Sequence, residues 1–225
     1  MYRLFFSLIV VFVLENASAR EVGKDSISSS DSARKALKIR PAIRLGVDVS
    51  RLFLSAISKD FRAAEASLDF NRGRLIWGAH AGFAQRTFSL SGQDAFSSGY
   101  YVSAGLCRNV FNESNNILAF GGRLAASVYR HQPRNISLLN PYTGKSEFQN
   151  LDEGSGRQFW LEFVSTMRAK VVGWVMVGFE LRLKYRLPGS HTGEVPYFIP
   201  GFGLRENRLS LGFNYYIFIN LPAKK

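Results

Sequence analysis

The sequence has a single cysteine, Cys107, in 225 residues. A disulfide within the chain is excluded, and with it the cystine framework that small secreted domains often rely on. There are three histidines, at 80, 131 and 191, too scattered to offer metal-ligand spacing. No metal and no cofactor is expected. Acidic residues are in deficit, 17 against 29 Lys and Arg, for a formal charge of +12. Such an excess suits an anionic partner: nucleic acid, phospholipid or glycolipid phosphates. The basic residues are spread along the chain and carry no RNA- or DNA-binding signature, so nucleic acid is not expected. Helical patterning is almost missing, apart from a short turn signalled at "RLFLSAISK", 51–59. With 46% hydrophobic and 14% aromatic residues, 20 Gly and only 7 Pro, the chain nonetheless has a folded composition.

Long apolar runs are also lacking, with one exception. Arg3 precedes an apolar stretch from Leu4 to Leu14, followed by Ala17-Ser18-Ala19. The stretch falls well short of the ~20 residues a spanning helix needs. Its order, positive then apolar then A-x-A, is that of a secretory signal peptide, with cleavage before Arg20. Export through the secretory pathway is therefore expected, with residues 1–19 as the signal. Residues 20–40 are polar and Ser-rich and read as a flexible leader. An exported chain with no disulfide must be stabilised by something else.

From Pro41 onward the sequence alternates. Side chains of a strand point to opposite faces, so period two is the mark of a strand with two different environments. Eight such segments occur, near 43–49, 61–70, 74–86, 97–108, 117–129, 158–169, 174–186 and 209–221. In the last, Leu209, Leu211, Phe213, Tyr215, Ile217, Ile219 and Leu221 form one unbroken apolar row. All segments but the first run to roughly ten to fourteen residues, exceeding the five or six usual in soluble sheets. They fit the ~9–11 residues of a tilted membrane strand with extensions. Connections alternate as well: 71–73, 109–116 and 170–173 are short, while 50–60, 87–96, 130–157 and 187–207 are longer. In an outer-membrane barrel the short ones are periplasmic turns and the long ones face outside.

The second face of each segment carries Arg44, Asp48, Glu65, Asp69, His80, Arg123, Glu162, Arg168, Glu180 and Arg182, interspersed with glycines. An eight-stranded barrel is only wide enough for side chains to fill it, and small residues beside oppositely charged long ones suit that interior. The fold expected is an all-β, eight-stranded antiparallel up-and-down transmembrane barrel of meander topology over residues 41–222, with a charge-filled lumen. The alternative exchanges the faces, giving a soluble periplasmic, lipocalin-like binder of an apolar ligand. Glycines would then stud a solvent face, where they weaken strands without use. Trp77, Phe159, Tyr185 and Tyr215 lie on the apolar face towards strand ends, as an aromatic girdle requires.

"SLGFNYYI", 210–217, is similar to the C-terminal signal read by the bacterial barrel-insertion machinery: Ser210, Gly212, then Tyr215 and Ile217. Here "PAKK" follows, where many barrels stop at an aromatic. More widely, "IRLGVDVSRL" (43–52), "KDFRAAEASLDF" (59–70), "GYYVSAGLCRN" (99–109), "FWLEF" (159–163), "GFELRLKY" (178–185), "PYFIPGFG" (196–203) and "LGFNYYI" (211–217) resemble a family of exported Bacteroidota proteins known only as domain of unknown function 6048. The resemblance spans nearly the whole mature chain, and "IPGF" is its most distinctive piece. It implies an outer-membrane barrel of a Gram-negative cell and supplies no catalytic residues.

Candidate chemistry is thin. Ser190, His191 and Glu194 in "SHTGE" could serve a lipid hydrolase, but such residues are the common types of any polar loop. "SGQDAFSS" (91–98) and His131 are read the same way, and His80 is read as a lumen hydrogen-bond partner. "PYFIPGFG" is expected as an extracellular loop packing its aromatics on the barrel rim; its "GFG" lacks the Lys and helix of a phosphate loop. The loop at 130–157 is long and polar and is the candidate for adhesion or interaction. The expectation is thus a non-enzymatic barrel of the cell outer membrane with a plugged lumen. It is monomeric, touches lipid and glycolipid, and meets the insertion machinery during biogenesis.

Overall fold

The computed structural model describes residues 41–90, 93–111, 116–134, 136–139, 146–149, 152–193 and 195–222. The expected signal and leader, 1–40, lie outside these. In chain order the strands are β1 (Ala42–Asp48), β2 (Phe61–Arg72), β3 (Leu75–Leu90), β4 (Gln93–Asn109), β5 (Asn116–Arg134), β6 (Ile136–Leu139), β7 (Ser146–Gln149), β8 (Gly154–Val172), β9 (Val175–Arg186), β10 (Ser190–His191), β11 (Phe198–Ile199), β12 (Gly203–Leu204) and β13 (Leu209–Pro222). One helix, α1, spans Val49–Ile57. Strands β1, β2, β3, β4, β5, β8, β9 and β13 pair each with the next, all antiparallel, and β13 returns to β1. This is a closed eight-stranded meander barrel.

The pairing also fixes the stagger. From Leu45 the register passes through Leu68, Ala79, Ala104, Leu124, Leu161 and Tyr185 to Leu209. Leu45 itself pairs with Ile219, ten residues further along β13. A stagger of this kind tilts every strand against the barrel axis. Gly73 and Gly173 turn the tight β2–β3 and β8–β9 hairpins with φ of 63° and 52°, values that cost little only without a Cβ.

The two faces separate cleanly. β1 and β2 alternate buried and exposed residue by residue, and β8 does so over most of its length. The exposed set is apolar: Leu45, Leu68, Trp77, Val102, Leu124, Phe159, Phe163, Leu181, Phe213 and Ile217 all point outward. The buried set holds all ten charged and His residues expected on the mixed face. The lipocalin-like alternative needed the apolar rows inside; the structure has them outside.

Two expectations about connections are corrected. Residues 87–96 are not a loop: the β3–β4 ladder runs on to Leu90 and Gln93. Residues 130–134 and 154–157 likewise extend β5 and β8, and β6 pairs with β7 within the same connection. The alternation that marks a strand fades there because both faces leave the apolar belt, while backbone pairing continues.

The second correction concerns 50–60, expected as an extracellular loop. β1 stops at Asp48, so it covers β13 only from Tyr216 to Pro222 and β2 only from Ala66 to Asn71. Along Leu209–Tyr215 and Phe61–Glu65 the two neighbouring strands lack a strand between them, and α1 stands in that gap. Asp48 caps it, accepting from the Arg51 backbone N–H at 3.2 Å. Arg51 and Ser55, four apart on one helical face, turn inward, whereas Leu52, Phe53 and Ile57 are exposed with the outer belt. Ser55 Oγ donates to Ala63 O at 2.9 Å and accepts from Ala63 N at 2.6 Å. Ser50 Oγ accepts from Tyr215 N at 3.3 Å. Serine hydroxyls thus replace ladder bonds that a missing strand would have made.

Candidate functional site

The interior is organised around Glu65 on β2. Its carboxylate accepts from Arg182 Nη2 at 2.6 Å and Tyr101 Oη at 2.6 Å, and also from Tyr216 Oη. Arg51 Nη2 and His80 Nδ1 each lie 3.2 Å away. From here charges alternate in both directions. Arg51 continues to Asp48 at 3.0 Å. Arg182 continues to Glu180 at 2.6 Å, and Arg123 closes a two-pronged pair on Glu180 at 2.7 and 2.8 Å. Asp48–Arg51–Glu65–Arg182–Glu180–Arg123 is therefore one unbroken chain across the lumen, contributed by β1, α1, β2, β9 and β5. Two-pronged and multiply bonded carboxylates are the geometry in which buried charges hold one another.

Towards the tight turns, Asp69 accepts from Arg168 Nη1. The Arg168 guanidinium lies 4.2 Å over the Phe218 ring. Arg44 is buried beside this pair, and its Nε and Nη1 have no hydrogen-bond acceptor. Glu162 accepts from Trp160 Nε1 at 2.7 Å and makes no ion pair among the described residues. Of the ten residues singled out from sequence, Asp48, Glu65, His80, Arg123, Glu180 and Arg182 share the central network. Asp69 and Arg168 form a second group with Arg44 beside them, across the β1–β2 pairing from Asp69, and Glu162 is in neither.

Towards the long connections the lumen is covered. Instead of packing on the rim, the "PYFIPGFG" segment folds into the barrel's end, and Phe198, Ile199 and Phe202 are buried in one cluster with Tyr101, Tyr129 and Trp160. Phe202 meets Trp160 edge-on, with ring centroids 5.9 Å apart. The segment's backbone is held from below: Lys184 Nζ donates to Gly201 O at 2.6 Å, Ser97 Oγ to Phe198 O at 2.8 Å, and Ser210 Oγ to Phe202 O at 3.1 Å. Arg86 lies 4.2 Å over Phe88 and 5.9 Å from the Phe198 ring centroid. The rim expectation failed because sequence reads a Pro- and Gly-rich connection as exposed, while inward Trp160 and Tyr101 provide an apolar floor that only the folded barrel assembles.

Several residues of this arrangement were not singled out from sequence. Arg51 sits on a helix, off the alternation. Tyr101, Tyr216, Lys184 and Asn214, whose amide donates to Asp48, are on the inward parity, which was the signal available, but their chemistry is not charged-pair chemistry or their partner is loop backbone. The Ser190–His191 pair forms β10 against Arg157 and Gly156 on β8 and is exposed; Glu194 lies outside the described residues, as do 91–92. His131 is buried on the inner face beside Tyr129. Among the described residues no group of three His, Cys, Asp or Glu could hold a metal ion. Of the four residues likened to an insertion signal, Ser210 and Gly212 are on the inner parity, and Tyr215 and Ile217 are exposed outward.

A closed meander barrel with charges inside and an apolar exterior defines the class. The chain belongs to the family described as Domain of unknown function (DUF6048), which matches residues 1–225. No curated protein matches the sequence. Among solved structures, a major outer membrane protein from Thermus thermophilus is similar at 9% identity and a TM-score of 0.49, covering 81% of this chain and 98% of that one.

Proposed function

We propose that the protein is an exported, integral outer-membrane barrel with a closed lumen, a structural or interaction protein that works through its long-connection end. One observation carries this: the wall exposes Leu45, Leu68, Val102, Leu124, Phe163 and Leu181 to the outside while charged residues fill the inside. Water would penalise that exterior at about 25 cal/mol per Å² of apolar surface, and lipid would not. The tight turns then face the periplasm and the capped mouth faces outward. Tyr215 and Ile217 present an apolar edge that the insertion machinery can read during biogenesis. The charge chain crosses the lumen and the buried Phe198–Phe202 segment covers one end of it, which disfavours transport. Outer-membrane lipid and glycolipid are the constant neighbours, with the barrel acting as a monomer.

The test is mobility in SDS gels, with and without boiling, of the protein taken from isolated outer membranes. A faster-running unboiled band in that fraction is the expected result. Recovery from the periplasm as a soluble protein with no heat-dependent shift would overturn the reading.

A further inference from the structure

Most inward arginines of this barrel are paired with carboxylates; those at its mouth are not. Arg186 ends β9 on the inner parity, and its backbone N–H donates to Arg208 O at 2.8 Å. Its Nη1 donates to Arg205 O at 2.6 Å, and Arg205 is held in turn by its own N–H on Tyr197 O at 3.1 Å. These bonds bring three guanidinium-bearing residues together, and the like charges of Arg205 and Arg208 act on Arg186. The Tyr129 phenol stands within reach of the same field, from Arg205 and Arg186. Among the described residues none of the three arginines is in an ion pair. Glu206, between Arg205 and Arg208 in sequence, is exposed. Arg205 Nη1 is shielded from solvent and has no hydrogen-bond acceptor.

Three neighbouring like charges, and a shielded Arg205 N–H with no acceptor, are unfavourable unless an anion completes the group. Guanidinium forks match the oxygens of phosphate, where ammonium groups would act only as point charges. We propose that Arg186, Arg205 and Arg208 form a phosphate-binding site at the mouth of the barrel. The paired residues immediately below, Tyr185 and Leu209, face outward and begin the apolar belt, so the site stands at the level where lipid phosphates lie. This placement rests on the outer-membrane reading; the phosphate chemistry does not. The phosphate belongs either to a membrane glycolipid headgroup or to free phosphate, and both present the same oxygens.

The experiment uses the full chain in a zwitterionic detergent, with native mass spectrometry and calorimetry as readouts. One arm titrates inorganic phosphate; the other titrates a phosphorylated glycolipid and its dephosphorylated form in mixed micelles. Every variant is first checked for the heat-dependent gel shift. Binding of the phosphorylated glycolipid alone assigns the headgroup, and equal binding of inorganic phosphate assigns the free ion. R186Q/R205Q/R208Q should weaken binding by roughly ten- to a hundredfold, the worth of one or two charge-assisted contacts. R208Q, at the exposed member, should show part of that loss without touching the backbone anchors of Arg186. R62Q, an exposed outward arginine elsewhere, should match the parent and excludes a mere effect of net charge. Phosphate affinity unchanged in the triple variant, or none in the parent, overturns the site. A parent that binds inorganic phosphate but shows no heat shift would instead sink the membrane reading and leave the site standing.

Discussion

Replacing Glu65 by alanine tests whether the interior charges hold the barrel together. Glu65 is 3% exposed and accepts from Arg182 and Tyr101 at 2.6 Å each, with Arg51 and His80 at 3.2 Å. Removing one partner of a buried ion pair costs about 3–5 kcal/mol, because the remaining charge stays buried. Two features pull in opposite directions here. Arg51 keeps Asp48 and Arg182 keeps Glu180, so neither cation is wholly abandoned. Against that, Tyr101 and Tyr216 both lose an acceptor, at about 1 kcal/mol apiece. The expected loss stays near 3–5 kcal/mol, roughly a hundred- to several-thousandfold in the unfolding equilibrium. Urea unfolding of the barrel in lipid bilayers, followed by the gel shift and by tryptophan emission, reads it directly. The double variant Glu65→Gln with Arg51→Met should be more stable than the two single losses added together, by at least about 1 kcal/mol. A Glu65→Ala barrel within about 0.5 kcal/mol of the parent, or full additivity in the double variant, would refute the network as a stabilising unit.

Other expectations follow from the same geometry. Ser55→Ala removes the hydroxyl that serves both Ala63 N and Ala63 O, and should lower stability in bilayers by about 1–3 kcal/mol, with Ser55→Thr close to the parent. A Cβ on Gly105 would run into Gly122 O and Arg123 Cα on the neighbouring strand, whereas one on Gly122 would meet nothing nearer than 3.7 Å. Gly105→Val should therefore fail to reach the heat-shifting form, and Gly122→Ala should reach it normally. Gly201 has φ of 81° and lies against the Tyr101 ring, so Gly201→Ala should unseat the mouth segment and raise protease cutting near 198–204 while the barrel remains folded. Leu124→Arg, at the middle of the exposed belt, should cost about 2–4 kcal/mol in bilayers, whereas a water-facing wall would accept it with almost no change.

Much of this protein was legible in its sequence because an antiparallel barrel is written at period two. Parity alone put Arg44, Glu65, Arg123, Glu180 and Arg182 on one face and Leu45, Leu68, Leu124 and Leu181 on the other, whereas the lengths of the connections were misjudged where the ladder runs on past the apolar belt. Which face is inside is not contained in parity, since exchanging the faces leaves the pattern unchanged. The folded circuit decided it: β13 returns to β1 to close the barrel, and it is the charged rows that are buried within while Leu45, Leu68, Leu124 and Leu181 are exposed. The helical turn signalled at 51–59 is present as α1, Val49–Ile57, but its place in the wall was hidden, because the segment read as a connection beyond the strands. Only the gap between Phe61–Glu65 and Leu209–Tyr215 makes Ser50 and Ser55 stand in for a strand. The burial of Phe198 and Phe202, and the meeting of Arg186 with Arg205 and Arg208, likewise depend on where distant strands deliver Trp160, Tyr101 and the end of β9. Local pattern determines which way each side chain points; the circuit of pairings determines what it meets.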